Sequence, residues 1–427
     1  FEFRRNGPLA EFKRRIADLM VRRRLWAGAL VTLALAAYVF FSQYAGKNYI
    51  HPVKVETCDQ AGGRTGKSGT TSGGEMNFKS NGSLMDKRAW NPFHRRLRPD
   101  LPRILFWTKI YGDWFSDLDV GDPELQTTDC PDRCYITNDR RTLNISDAVV
   151  FYAHDLIPSL MPEQRSPFQK WVFWSLEPPW HTPVETFSGL KETFNWTFTY
   201  RMDSDILDTY GEVSVQEPGR EVYSNDILRR LWQKKSRMAA WAVSSCNTSG
   251  KREEYVRELQ KYMLVDVYGE CGDYECPRSK EEDCYQLFAS HYFFYLSFEN
   301  CICKDYVTEK FFKVLNYDIV PVVFGGANYS RVAPPGSFID VLSFRSPKHL
   351  ALYLEKVANS FSLYSRYFQW KSKYEVWNWT YYTFCALCHK LYSESFRTKS
   401  LVPDLLHWWN TSSHCRAFNG DTKTFYE

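Results

Sequence analysis

From Pro99 onward, short apolar runs alternate with amphipathic runs along the chain. The apolar runs are rich in aromatic and β-branched residues, a composition typical of buried strands. They form two sets, 103–108, 147–153, 170–177 and 194–200, then 238–244, 264–269, 292–299 and 319–325. Helical patterns cover 251–263 and 304–317 within the second set. Because strand–helix alternation with uniformly apolar strands is typical of parallel sheets covered on both faces, we predict an α/β fold.

The two sets of predicted strands are separated by a linker-like segment at 211–226. We therefore predict two Rossmann-like domains facing each other across a cleft, at 100–215 and 216–395, and a C-terminal extension at 396–427. Ligands of parallel sheets bind beyond the carboxyl ends of the strands. That rule points to Glu177, Ser244 with Ser245, Gly269, and Glu299 with Asn300.

The N-terminal region has the pattern of a membrane anchor. Leu25–Phe41 is uncharged and almost wholly apolar, and it follows three consecutive arginines, Arg22, Arg23 and Arg24. Its length suits a thin secretory-pathway bilayer, and the arginines favour a cytosolic N-terminus. We predict a cytosolic tail at 1–24, a transmembrane signal-anchor at 25–41 and a flexible stem at 42–99. The alternative, a cleaved signal peptide, is disfavoured because no small-residue cleavage site follows Phe41.

A lumenal location for the rest of the chain agrees with its sequons and cysteines. Seven N-x-[ST] sequons begin at Asn81, Asn144, Asn195, Asn247, Asn328, Asn378 and Asn410. The twelve cysteines suit an oxidising compartment. The pairs Cys130/Cys134 and Cys385/Cys388 also have spacings that zinc ligands use, but no histidines follow at zinc-finger spacing, so we favour disulfides.

Charge and glycine patterns argue against three other classes of protein. The net charge of +4 comes from residues 1–24, which carry +5, so the remainder sums to about −1 and offers no basic surface for nucleic acid. The stretch 61–68 resembles a phosphate-binding loop but has Ala61 where the motif needs glycine, and no clear strand or helix flanks it. This argues against a nucleotide-hydrolysing enzyme, and against a sulfotransferase, whose phosphosulfate loop would have to be the same stretch.

The region around Asn300 carries the most specific motif. "FYLSFENCICKDYVTEKFF" predicts a strand end, a loop and a helix opening near Asp305, with Thr308, Glu309 and Lys310 in its first turns. A helix N-terminus beside a lysine suits phosphate, although a simple capped helix fits as well. With "VPVVFGGANYSRVAPPGSFIDV", this stretch closely resembles the donor-binding signature of the α1,3-fucosyltransferases. Within that family, its sequence looks most like those of the invertebrate glycoprotein fucosyltransferases. Collinear blocks agree over about 100–395: "WSLEPP", "FNWTFTYRMDSDI", "AWAVSS", "VDVYG" and "CALCHKL".

The resemblance implies a Golgi type II membrane enzyme that transfers L-fucose, with inversion, from GDP-fucose to the 3-hydroxyl of N-acetylglucosamine. It places the catalytic carboxylate on Glu177, which also closes a predicted strand and is stiffened by Pro178 and Pro179. It implies that Arg252 and Lys310 bind the diphosphate and that Glu309 takes sugar hydroxyls. The donor residues that it implies are Tyr200, Ser244, Ser245, Arg252, Tyr295, Asn300, Tyr306, Glu309 and Lys310.

Asp203 and Asp205 have the D-x-D spacing that other glycosyltransferases use to hold Mn²⁺. Because the family has no metal-bridging D-x-D, we interpret these aspartates as structural. We expect no required cofactor or metal site, and a divalent cation (Mn²⁺ or Mg²⁺) at most stimulatory. The alternatives are a metal-dependent glycosyltransferase that uses both aspartates and an inactive glycan-binding paralogue.

The chain departs from the family pattern at several positions. Ser245 replaces an asparagine, which puts one donor hydrogen bond in doubt, Cys301 replaces a serine, and Pro178 replaces a serine after Glu177. The family implies a bridge from Cys130/Cys134 to Cys385/Cys388. Cys301 and Cys303 are expected either to pair with Cys246 or Cys284 or to remain as buried thiols.

Overall fold

The computed structural model describes residues 101–112, 130–216, 224–378, 383–393 and 401–426. The predicted cytosolic tail (1–24), signal-anchor (25–41) and stem (42–99) lie outside the described residues, as do Cys58 and Asn81. Among the helices that are described, none is both long and apolar enough to cross a bilayer.

The first sheet is parallel throughout and has the strand order β2-β1-β3-β4-β5-β6. Its strands are β1 Arg103–Phe106, β2 Tyr135–Thr137, β3 Ala148–Tyr152, β4 Lys170–Ser175, β5 Trp196–Thr199 and β6 Ile206–Leu207. The central strands β3 and β4 are buried along their whole length, which explains their unbroken apolar pattern.

Between β2 and β5, where every residue is described, short 3-10 turns rather than α-helices connect the strands of the first sheet. They are Arg140–Ile145, Ala153–Asp155, Pro158–Leu160, Pro179–His181 and Val184–Gly189. Large aromatic side chains, including Trp174, Trp196 and Phe198, fill the core on one face of this sheet.

The second sheet is also parallel, with the order β12-β11-β10-β8-β9. Its strands are β8 Arg237–Ala242, β9 Val265–Tyr268, β10 Tyr292–Phe298, β11 Val320–Phe324 and β12 Ile339–Asp340. The helices are α1 Asn225–Lys234, α2 Arg252–Leu259, α3 Glu281–His291, α4 Glu309–Leu315, α5 Pro347–Ala358, α6 Phe361–Tyr364, α7 Thr383–Ser393 and α8 Leu405–Trp409. The prediction of an α/β fold built on parallel sheets is confirmed, as are all eight predicted strands within a few residues of their ends.

The predicted helix 304–317 is shorter than its sequence pattern indicated. The helix α4 begins at Glu309, where the Thr308 side chain accepts a hydrogen bond from the Lys310 backbone N–H as N-cap. Asp305 has a φ of 61°, a left-handed conformation that a right-handed helix cannot include. Residues 304–308 are therefore a loop, and the prediction of a helix opening near Asp305 is wrong.

The segment 211–226 is more than a linker. Its first part forms β7 Gly211–Val215, which pairs antiparallel with β13 Tyr374–Asn378, more than 150 residues later in the chain. Ser224 caps α1, and 217–223 lie outside the described residues. The prediction missed β7 because an isolated strand with a distant partner has no local periodic signal that specifies its pairing.

The cysteine predictions had mixed outcomes. Disulfides Cys130–Cys385 and Cys134–Cys388 confirm the bridge that the family resemblance implied. Pairing of Cys301 or Cys303 with Cys246 or Cys284 is wrong. The other bridges are Cys246–Cys271, Cys276–Cys284 and Cys303–Cys415, and Cys301 is a buried free thiol.

The C-terminal extension packs against both sheets. Trp409 contacts Phe173 of β4, with ring centroids 5.4 Å apart, and a terminal hairpin forms from β14 Ala417–Asn419 and β15 Thr424–Tyr426. The ring of Phe418 packs on Tyr255 of α2 at 5.0 Å. The Cys303–Cys415 disulfide attaches the extension to the loop that follows β10. The extension thus braces the loop that carries Asn300 and Tyr306, two of the predicted donor residues.

Candidate active site

Glu177 lies two residues beyond the carboxyl end of β4, with its side chain 23% exposed. Its Oε2 is 3.2 Å from His181 Nδ1, and the Tyr306 hydroxyl donates to the same oxygen at 3.4 Å. Pro178 and Pro179 restrict the backbone between Glu177 and the turn Pro179–His181. The carboxylate is therefore positioned by the sheet and the turn, yet open to solvent on one side.

The surroundings of Glu177 favour its ionised form. Burial would raise the pKa of Glu177, but polar contacts with His181 and Tyr111 and the charges of His181 and Lys310 outweigh burial, so its pKa is below the ordinary value. A carboxylate that stays ionised at neutral pH and is accessible on one side is suited to accept a proton.

His181 connects Glu177 with the loop that follows β10. Its Nδ1 is 3.4 Å from Asn300 Nδ2, and its Nε2 is 3.6 Å from the Cys301 thiol and 3.5 Å from the Ser249 hydroxyl. Glu177 and His181 follow a strand of the first sheet, whereas Ser249, Asn300 and Cys301 follow strands of the second. The imidazole therefore lies where the ends of the two sheets meet.

A second glutamate, Glu299, lies one residue beyond the carboxyl end of β10 and is fully buried. Its Oε1 accepts a hydrogen bond from the Thr308 backbone N–H at 2.8 Å, and its Oε2 accepts one from the Thr308 hydroxyl at 2.9 Å. Burial raises the pKa of Glu299, and the nearby Lys310 offsets this only in part. This carboxylate holds the loop onto the start of α4.

Lys310 is placed between two carboxylates. Its Nζ donates to the Thr308 hydroxyl at 2.8 Å and to Glu309 Oε1 at 2.9 Å, and it lies 3.5 Å from Glu299 Oε2. Burial would lower the pKa of Lys310, but the charges of Glu299 and Glu309 outweigh it and raise the pKa above its ordinary value. The ammonium is therefore fully charged at neutral pH and partly exposed, as an anion-binding group requires.

Arg252 and Asn300, both predicted donor residues, each have a buried polar atom without a partner among the described residues. These atoms are Arg252 Nε and Asn300 Oδ1. The Arg252 guanidinium is anchored by one bond from Nη1 to the Phe298 carbonyl, at 2.6 Å. Buried polar groups in native proteins are nearly always paired, so these two atoms mark places where a polar ligand would complete the hydrogen bonding.

The other predicted donor residues are three buried tyrosines and two exposed serines. Tyr200 and Tyr306 pack edge to face with centroids 5.0 Å apart, and both are buried behind Glu177. Tyr295 is buried within the second sheet, where its hydroxyl lies 3.4 Å from that of Tyr285. Ser244 and Ser245 are exposed just after β8.

The site therefore brings together Glu177, Asn300, Tyr306, Glu309 and Lys310, with Arg252 beside them. Tyr295 contributes as core packing, and the two serines make no side-chain contact with the group within the described residues.

Asp203 and Asp205 are engaged in structural contacts. Asp203 Oδ2 accepts from Arg201 at 2.7 Å and from Lys304 at 2.9 Å, while Asp205 Oδ2 accepts from the Thr197 backbone and hydroxyl. The charges and hydrogen bonds from Arg201 and Lys304 outweigh burial and lower the pKa of Asp203 to about 2. Across the described ranges, no group of three or more histidine, cysteine, aspartate or glutamate side chains is arranged to hold a metal ion. The contacts favour the structural interpretation of both aspartates.

Sequence analysis did not assign His181, Tyr111 or the buried role of Glu299. His181 had a usable signal, because it lies four residues after Glu177 across two prolines. Tyr111 had none, since its proximity to Glu177 arises from the positions of β1 and β4 on either side of β3 in the folded sheet.

Comparison with known proteins identifies the family. Residues 99–211 match the family model "Fucosyltransferase, N-terminal", and residues 232–408 match "Glycosyltransferase family 10 (fucosyltransferase) C-term". The chain is 39% identical over 349 residues to Alpha-(1,3)-fucosyltransferase C of Drosophila melanogaster, covering 76% of this chain and 80% of that protein.

Two other relatives are similar over shorter spans. Identity is 37% to Glycoprotein 3-alpha-L-fucosyltransferase A of Drosophila melanogaster, over 74% of this chain and 61% of that protein. It is 36% to the human 4-galactosyl-N-acetylglucosaminide 3-alpha-L-fucosyltransferase 9, over 64% of this chain and 72% of that protein.

A crystal structure of an alpha1,3-fucosyltransferase with GDP-fucose aligns with 71% of this chain and 95% of its own, at 15% identity and a TM-score of 0.43. The sequence relatives and both family models carry the assignment. The chain belongs to the α1,3-fucosyltransferases of glycosyltransferase family 10.

Proposed function

We propose that this enzyme transfers L-fucose from GDP-fucose to the 3-hydroxyl of N-acetylglucosamine in glycoprotein glycans, with inversion at the anomeric carbon. One observation carries the proposal. Glu177 is an ionised and partly exposed carboxylate at the end of the first sheet, and the charge of Lys310 helps to lower its pKa. Two residues with unpartnered buried atoms adjoin this pair: Asn300, through His181, and Arg252, whose charge acts on Lys310. A base and an anion-binding group side by side are what a single inverting displacement needs.

In the proposed reaction, Glu177 takes the proton from the acceptor 3-hydroxyl as that oxygen attacks the anomeric carbon of fucose. The bond to GDP breaks, and Lys310 and Arg252 stabilise the negative charge that develops on the diphosphate. Glu309 binds sugar hydroxyls through its exposed carboxylate. His181 is a positioning residue: it helps to keep Glu177 ionised, and it contacts both Glu177 and Asn300.

The chain is proposed to have the GT-B arrangement, with the acceptor and base in 100–215 and GDP-fucose bound mainly by 216–395. Leu25–Phe41 would anchor it in the Golgi membrane as a single-pass type II protein with a lumenal catalytic region. No metal cofactor is proposed, because Asp203 and Asp205 are engaged by protein donors. A divalent cation is at most stimulatory.

The test is a transfer assay of the full-length chain in detergent with GDP-fucose and EDTA. The acceptors are a glycopeptide with an N-glycan core and N-acetyllactosamine, and the product linkage is determined by NMR. We expect transfer to the 3-hydroxyl of N-acetylglucosamine in the presence of EDTA, and retained transfer by Asp203→Asn and Asp205→Asn variants that fold normally.

Other outcomes point to specific errors. Loss of transfer in EDTA and in both aspartate variants would establish a metal-dependent mechanism. GDP-fucose binding without transfer to either acceptor would indicate a glycan-binding paralogue. Failure to bind GDP-fucose would overturn the donor-site assignment.

A further inference from the structure

A cavity of about 340 Å³ lies at the carboxyl ends of β1 and β3, in the first sheet. Its volume is at the lower end of the range of about 300–1,000 Å³ that small-molecule sites occupy. Its wall combines aromatic, apolar and charged side chains, among them Trp107, Lys109, Arg140, His154, Ile157 and Leu160. The residues assigned to the donor do not line it.

Tyr111 connects this cavity with Glu177. Its ring is 4.8 Å from the His154 ring, which lines the cavity, and its hydroxyl is close enough to the Glu177 carboxylate to help lower the pKa of that carboxylate. The Tyr111 residue is nevertheless 51% exposed. An exposed aromatic ring beside the proposed base is available to contact a substrate.

The backbone at Tyr111 is held in an unusual conformation. Tyr111 has a φ of 52° and Gly112 a φ of 82°. A left-handed conformation is unfavourable for a bulky residue and persists only where the surroundings enforce it. Here the Gly112 N–H donates to Asp155 Oδ2 at 2.8 Å, and the Tyr111 ring packs on Tyr152 at 5.5 Å. The turn thus presents the Tyr111 ring between Glu177 and the cavity.

The chemistry of the cavity wall suits a sugar ring. A pyranose has an apolar C–H face and a rim of hydroxyls, and it is bound where aromatic or aliphatic surface lies next to hydrogen-bond donors. Ile157 and Leu160 are 52% and 59% exposed and supply aliphatic surface. Arg140 lies over Trp107, with its guanidinium 4.3 Å from the ring centroid, and Lys109 is exposed beside it. These two cations can donate to hydroxyls.

We propose that Tyr111 and this cavity form an acceptor subsite. The reacting N-acetylglucosamine contacts Tyr111 while its 3-hydroxyl faces Glu177, and the cavity takes the sugar linked to that residue. The Tyr111 ring adjoins both Glu177 and His154 of the cavity wall, so a sugar held against that ring has its neighbour at the cavity. The inference rests on the proposed transfer reaction and names the part of the acceptor that the first sheet recognises.

The experiment compares Arg140→Ala with Arg141→Ala in the full-length chain. Arg141 is a matched control, because it is the next residue and its side chain is 88% exposed and paired with Asp139. Each variant is assayed with a monosaccharide acceptor, a simple glycoside of N-acetylglucosamine, and with whichever longer glycan the wild type prefers. GDP-fucose binding is measured separately by calorimetry.

We expect Arg140→Ala to raise the KM for the longer acceptor about 10-fold or more, the usual effect of losing a charge-assisted hydrogen bond. Its KM for the monosaccharide, its GDP-fucose affinity and all constants of Arg141→Ala should remain at wild-type values. Tyr111→Ala should raise the KM for both acceptors without weakening GDP-fucose binding. Tyr111→Phe should have KM values close to those of the wild type, because the ring remains.

Failure of the inference differs from failure of the proposed function. If the wild type transfers fucose but Arg140→Ala and Arg141→Ala have the same ratio of KM values for the two acceptors, the subsite is wrong. If the wild type transfers fucose to neither acceptor, the proposed function is wrong. Equal loss of monosaccharide and longer-acceptor transfer in Arg140→Ala, with an unchanged melting temperature, would also overturn the subsite.

Discussion

Two glutamates follow central strands of parallel sheets in this enzyme, and their surroundings give them opposite properties. Glu177, after β4, is partly exposed and its pKa is lowered, because contacts with His181 and Tyr111 and the charge of Lys310 outweigh burial. Glu299, after β10, is fully buried and its pKa is raised by burial. The end of a strand locates a candidate carboxylate, but neighbouring hydrogen bonds and solvent access decide whether it is a base or a structural acceptor.

The largest expected contrast is in the rate of transfer by Glu177→Gln and Glu299→Gln. Removing a general base typically costs about 10²–10⁴-fold, so Glu177→Gln should lose that much kcat while GDP-fucose binding survives. Glu299→Gln should retain kcat within about 10-fold and lower the melting temperature, since a buried amide replaces the acceptor that holds Thr308 and Lys310. Steady-state kinetics and calorimetry measure both. A larger kcat loss in Glu299→Gln at an unchanged melting temperature would reverse the two roles.

Lys310→Met should weaken donor binding by about 10–100-fold, because a charge-assisted contact to a diphosphate is worth roughly 1.5–3 kcal/mol. Lys304→Met is the matched control. Lys304 lies in the loop just before α4, its side chain is 40% exposed, and it pairs with Asp203. Its donor affinity should remain within about twofold of the wild type. GDP titrations by calorimetry test both variants, and equal losses would mean that the diphosphate lies elsewhere.

His181→Gln should shift the pH profile of kcat/KM. Because His181 lowers the pKa of Glu177, its removal should raise that pKa and move the acidic limb to higher pH by up to about one unit. Ser249→Ala removes only a 3.5 Å contact to the other imidazole nitrogen and should leave the limb in place. A reduced kcat with an unmoved acidic limb would show that His181 acts only through packing.

The smallest expected effect is on the pH dependence of stability. Since the pKa of Glu299 is raised, the folded protein binds its proton more tightly than the unfolded chain, and stability should fall as pH rises from the ordinary glutamate value through the raised one. Since the pKa of Glu177 is lowered, its contribution is present above the ordinary value and is lost as pH falls through the lowered one.

Melting temperatures across acidic and neutral pH test these two slopes. Glu299→Gln should reduce the fall in melting temperature with rising pH, and Glu177→Gln should reduce the fall in melting temperature on acidification, each by a few degrees. Slopes of the same sign in both variants would contradict the assigned environments.

The sequence predicted the local features of the fold and much of the site. All eight apolar runs became strands because strands that are largely buried need mostly apolar runs, which are visible without knowledge of their neighbours. Glu177, Asn300 and Lys310 were located by strand ends and by the family resemblance. The start of α4 was misplaced because nothing local indicates that Asp305 adopts a left-handed conformation.

Features that join distant segments were not predictable in the same way. The pairing of β7 with β13 and the Cys303–Cys415 disulfide each connect residues more than 100 positions apart. The sequon at Asn195 is another example, because its side chain is buried and its Oδ1 accepts the Trp171 backbone N–H at 2.9 Å. Among the described sequons, exposure suits glycosylation at Asn144, Asn247, Asn328 and Asn378.

The amino-acid sequence by itself determined which segments form strands and helices, which residues carry ionisable groups, and which family the chain resembles. These properties depend on side-chain type and on spacing over a few residues. The tertiary structure alone decided that Glu177 is open and Glu299 buried, that His181 contacts residues from both sheets, and that Tyr111 lies beside the base. Each of these depends on solvent access and on charges contributed by segments far apart in the chain, because a pKa and a contact are properties of the assembled surroundings.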